Sequence, residues 1–131
     1  MRWWFAATCL CAGSLGCSGD GIPLAEVTGQ VTFNGQPAPA EIFFQPHDAD
    51  GKKTGRPSTA RTDEDGTFRL FFTASRPGAV VGPHQISVNI LRQHDGDEPI
   101  SYLEATTPLK IVRLERTVKP GRNHFDFAIT Y

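Results

Sequence analysis

Cysteine is scarce in this chain: three in 131 residues, all at or before position 17. The remaining length therefore has no disulfide of its own to staple it. Tryptophan occurs only at Trp3 and Trp4, and tyrosine only at Tyr102 and Tyr131. The body of the chain thus lacks the indole platform on which sugars usually stack. No charge sign dominates, with 13 basic against 14 acidic residues, so nothing resembles the basic footprint of a nucleic-acid partner. Long hydrophobic runs are missing too. The longest uncharged, mostly apolar stretch is Trp3 to Leu15, 13 residues, against the ~20 that a membrane-spanning helix needs. What the chain has instead is glycine (13), proline (10) and phenylalanine (9), a turn-rich β composition in one domain of modest core.

The short apolar run sits in the first 17 residues, "MRWWFAATCLCAGSLGC". One positive charge, a short apolar centre and small residues at the end describe an export signal. "SLGC" resembles the lipobox of bacterial lipoproteins, in which the cysteine is acylated and becomes the new N-terminus. It departs from that pattern in having Ser14 three places before the cysteine, where leucine is usual, and Leu15 two places before. Cys9 and Cys11 lie inside the apolar run and leave almost no signal ahead of them. Cleavage before Cys17 leaves it as the sole cysteine of an exported protein. An exposed thiol there is a liability, whereas a lipidated one is an anchor. The expected division is a signal peptide over 1–16, a lipidated tether over 17–24 and one domain over 25–131. The expected location is the cell envelope, held to a membrane by lipid.

From Val27 a two-residue period takes over. Val27, Gly29, Val31 and Phe33 share one face, and Thr28, Gln30 and Thr32 the other. Asn34-Gly35 is the strongest short turn signal. Further strands are expected in "EIFFQ" (41–45), "START" (58–62), "TFRLFF" (67–72), "HQISVNIL" (84–91), a broken "LKIV"/"ERTV" (109–112 and 115–118) and "NHFDFAIT" (123–130). Phe125, Phe127 and Ile129 are expected to face in, with His124 and Asp126 facing out. Seven short strands separated by turns predict an all-β fold, a seven-stranded antiparallel β-sandwich. No stretch supports an amphipathic helix of useful length.

In order, "VTGQVTFNGQPAPAEIFFQP", "TDEDGTFRL", "VVGPHQISV" and "VKPGRNHFDFAI" resemble the small bacterial lipoproteins with a carboxypeptidase-regulatory-like, transthyretin-like domain. The resemblance covers Val27 to Tyr131 and implies a prealbumin-like Greek-key sandwich. It also implies a non-catalytic accessory module without a cofactor.

Three constellations invite chemistry. "TDEDGTF" has the look of a calcium loop. With Gly66 at position 6 of an EF-type loop, however, Arg61 falls at position 1 and Phe72 at 12. With Gly51 there, Pro46 and Pro57 fall at those places, so neither supplies the ligands. Asp63–Gly66 is instead expected to close a hairpin. The near-repeat His47, Asp48, Asp50 and His94, Asp95, Asp97 could form a metal site if the loops met. Alternating strands put those loops at opposite ends of the sandwich. Hydrolysis would need a base with partners, yet His84 and His124 have none by spacing, and the terminal tetrapeptide of hydroxyisourate hydrolases is missing. The long loop over 92–108 carries Tyr102 and Leu103, expected to anchor it to the sandwich or to present a contact. The expected function is a lipid-anchored binding or structural module that is not an enzyme, with an envelope protein or glycan as partner. A carbohydrate-binding module and a small transthyretin-like hydrolase are the alternatives.

Overall fold

The computed structural model describes residues 21–92, 101–103 and 107–130. The signal segment, Cys17 and the first part of the tether lie outside them, as do His94, Asp95, Asp97 and Tyr131. Among the described residues no helix is long and apolar enough to cross a membrane.

The architecture is all-β, two sheets packed face to face. The spine of the first sheet is β1 (Leu24–Phe33), whose alternating side chains bury Val27, Gly29 and Val31. Strand β11 (Arg122–Ile129) runs along one side of it, from Glu26↔Arg122 to Phe33↔Ile129. Along the other side lie three short strands in succession. These are β8 (Ala79–Val80) beside Leu24–Ala25, β5 (Thr67–Arg69) beside Thr28–Gln30, and β2 (Gln36–Pro37) beside Thr32–Phe33. The second sheet has the order β10 (Lys110–Val118), β9 (Gly82–Ile90), β3 (Ala40–Pro46), β4 (Ser58–Arg61), β6 (Phe71–Thr73), β7 (Arg76–Pro77).

Three expectations change. The pairing of β1 with β11 is parallel, so the sandwich is not antiparallel throughout. The stretch "TFRLFF" is two strands: β5 joins the first sheet and β6 the second, and the chain changes sheets at Leu70. Phe68, Leu70 and Phe72 are still all buried, because both halves keep one inward phase. Finally, β10 is continuous through Arg113 and Leu114. These changes, with the short β2, β7 and β8, give eleven strand segments among the described residues rather than seven.

Asn34-Gly35 forms the two-residue turn from β1 to β2, both residues with positive φ (52° and 81°). That backbone is what Asn-Gly tolerates best. Between the sheets, Val27 and Val31 of β1 meet Ile42 and Phe44 of β3 and Ile86 and Val88 of β9, all fully buried. Full burial of each such side chain contributes ~1.5–3 kcal/mol. The Phe44 ring is central, 5.9 Å from Phe125 and 5.7 Å from His84 between ring centres.

Candidate functional site

The outer face of the first sheet carries the polar phase of β1, β5 and β11. Register sets a row across it: Arg69 pairs with Thr28, and Thr28 with His124. His124 Nε2 lies 2.8 Å from Asp126 Oδ1, and its Nδ1 lies 3.3 Å from the Thr28 hydroxyl. With the ring neutral and its proton on Nε2, Nδ1 accepts from Thr28. Beside the row is an open concavity of about 470 Å³, lined among others by Arg61, Asp63, Thr67, Arg69 and Phe71. The Arg69 guanidinium lies 5.8 Å from the centre of the half-exposed Phe71 ring. Glu26 balances the row, 3.3 Å from Arg122 Nε and 4.0 Å from Arg69 Nη2.

Hydroxyl, imidazole and carboxylate in this sequence form a nucleophile–base–orienter array in outline. Sequence spacing could not find it, because Thr28 and His124 are 96 positions apart. Only the parallel pairing of β1 with β11 brings them together. The His124 and Asp126 side chains are 63% and 66% exposed, so no described residue excludes water from the array. Its charges therefore act at high dielectric, where they have little power over a reaction.

His84 is on the opposite, inward phase of β9 and is buried. Its Nδ1 contacts the Gly82 carbonyl at 2.9 Å, while Nε2 has no partner among the described residues. Burial pushes its pKa below the ordinary histidine value, against a smaller opposing effect of the Gly82 carbonyl. The sequence held the signal, since His84 is in phase with Ile86 and Val88. It is a core histidine without access to a substrate.

The two acid-rich turns share one geometry. Asp63 Oδ1 accepts from the amides of Asp65 (2.9 Å) and Thr67 (3.0 Å), and Oδ2 accepts from the Thr67 hydroxyl. Asp48 Oδ1 accepts from the amides of Asp50 and Lys52, both at 2.9 Å. In both, a glycine with positive φ, Gly66 or Gly51, stands three residues after the aspartate. "DADGK" and "DEDGT" are thus the same side-chain-capped turn. The hydrogen bond from the Thr67 hydroxyl, more than any other contact, holds the Asp63 carboxyl below the usual carboxylate value. The turn does not close a hairpin as expected, because β4 and β5 on either side of it belong to different sheets.

No group of three metal-ligating side chains occurs among the described residues. His47 stands beyond the Pro46↔His84 end of the β3–β9 pair, whereas β9 ends at the Ala40↔Ile90 end, and His94 lies outside the described residues. Seven paired positions, ~20 Å, separate those ends. Tyr102 and Leu103 are 81% and 73% exposed, so they do not anchor the loop by burial in the core.

Neither a protein-family model nor a curated protein sequence matches this chain. Among solved structures it is similar to a DUF3823 family protein from Parabacteroides merdae, with 16% identity and a TM-score of 0.42. The match covers 82% of this chain and 46% of that one, so this chain spans under half the length of its neighbour.

Proposed function

We propose that this chain is an exported, lipid-anchored lipoprotein whose carboxypeptidase-regulatory-like, transthyretin-like β-sandwich is a non-catalytic binding or structural module at the cell envelope. The observation that carries the reading is the position of Cys17, directly behind an export-type leader and seven residues before β1 begins at Leu24. Seven residues span at most ~25 Å, which would hold the domain close to the membrane surface. The open concavity around Arg69 and Phe71, and the exposed Tyr102 and Leu103, offer contact surface suited to a partner or glycan. Cys17→Ser tests the anchor. The variant is expected to move from the membrane fraction to the soluble fraction of the envelope, and continued membrane association would refute it.

One observation favours a hydrolase instead, the Thr28–His124–Asp126 array. Activated esters discriminate the two readings. A module shows no turnover above background, whereas turnover abolished by both Thr28→Val and His124→Gln would establish the hydrolase.

A further inference from the structure

Strand β10 is the outermost strand of the second sheet, and no described residue pairs with its outer edge. It is nine residues long and carries no proline or bulge of the kind that blunts an edge. Val112 and Leu114 pack against the core yet are only partly buried, and Ile111 on the outer face is 51% exposed. The backbone groups of that edge are unpaired among the described residues, and its charges at Lys110, Arg113, Glu115 and Arg116 restrict which strand can add to it.

The sequence of β10 itself, "KIVRLERTV", selects the occupant. Laid antiparallel to a second copy about Leu114, it sets Arg113 opposite Glu115 and, by symmetry, Glu115 opposite Arg113. Leu114 meets Leu114 on the axis, and Ile111 meets Thr117. Arg113 and Glu115 are exposed on the outer face, and neither has an ion-pair partner among the described residues. Neighbouring registers fail. A shift of one residue turns each strand's inward face outward. A shift of two sets Arg113 against Arg113, or Glu115 against Glu115.

We propose that the chain forms a two-fold symmetric dimer through antiparallel β10–β10 pairing centred on Leu114, joining the two six-stranded sheets into one. Leu114 of each copy completes its burial against the other, while Val112 faces Arg116, whose aliphatic stem covers it. The proposal does not depend on the lipid-anchor reading and concerns a different surface from the Arg69–Phe71 concavity.

The test uses the full chain with Cys9, Cys11 and Cys17 changed to serine, so that an introduced cysteine is alone. Leu114→Cys is expected to give a disulfide-linked dimer under mild oxidation, because facing residues of an antiparallel pair lie ~4.5–5.5 Å apart, within disulfide reach. Ile111→Cys, which faces Thr117, is expected to stay monomeric. By sedimentation equilibrium, Arg113→Glu should weaken the dimer about tenfold, since two facing contacts turn repulsive together. Arg113→Glu combined with Glu115→Arg should restore it. A chain that sediments as a monomer at ~100 µM, well above the ~1 µM of a moderate complex, overturns the proposal. So does equal cross-linking at 111 and 114, or a dimer indifferent to both charge changes, as when another edge or a foreign strand provides the contact.

Discussion

The Phe68 ring occupies the space that a side chain on Gly29 would need. A Cβ at Gly29 would lie 2.7 Å from Phe68 Cε1 and Cζ, and 1.8 Å from the carbonyl oxygen of Phe125. Gly29 thus sits where β5 and β11 both approach the middle of β1, and its missing side chain leaves room for the ring. Gly29→Ala must push β11 away or expel the ring. The expected loss is about 3 kcal/mol, read as a fall in the denaturant midpoint at unchanged slope.

His84 makes stability depend on pH. Its folded pKa lies below its unfolded value, so the unfolded state binds the proton more readily. The contribution is complete above the ordinary histidine value of 6.5 and is lost as pH falls below it. His84→Leu removes both the proton site and the unpartnered Nε2. Denaturation of the variant at pH 7 and pH 5 should show a flatter pH response and no loss of stability at pH 7. An unchanged slope would assign the pH response to other groups.

Thr62 ties two distant parts of the chain together. Its hydroxyl accepts from the Ala40 amide and donates to the Ala38 carbonyl, both at 2.9 Å. Thr62→Val keeps the shape and deletes both bonds, leaving a partly buried amide without its partner. The expected cost is ~2 kcal/mol by thermal or chemical denaturation. Thr62→Ser should recover most of it.

Asp63 has both carboxylate oxygens committed to its own turn. Millimolar calcium should therefore leave the melting temperature unchanged, as should chelator. Asp63→Ala should lower it by several degrees. The wild-type contribution of Asp63 is expected to be present above pH 3.8 and to fade as pH drops through the lower folded value.

Much of the sandwich was legible because burial on one side imprints a two-residue period, and β1, β9 and β11 follow it residue by residue. The crossing at Leu70 was not, because a chain can change sheets without changing which side chains face inward. Nor was the parallel partner of β1, since a period states a face and not a neighbour. The Thr28–His124 contact follows from that pairing and was hidden with it. "DEDGT" was readable as a turn from composition, yet its long-range role was not. Gln30 Nε2 reaches the Asp65 carbonyl, and the Val31 amide reaches the Gly66 carbonyl. The motifs "VTGQVTF" and "TDEDGTF" are therefore two halves of one contact.

The parallel seam between β1 and β11 also sets a schedule. β1, made some ninety residues before β11, must wait for it before its sheet is complete on that side. β1 cannot complete that side of its sheet before residues 122–129 are available to it. The first sheet thus stays open on that side until β11 arrives, a long-range closure that comes late in folding.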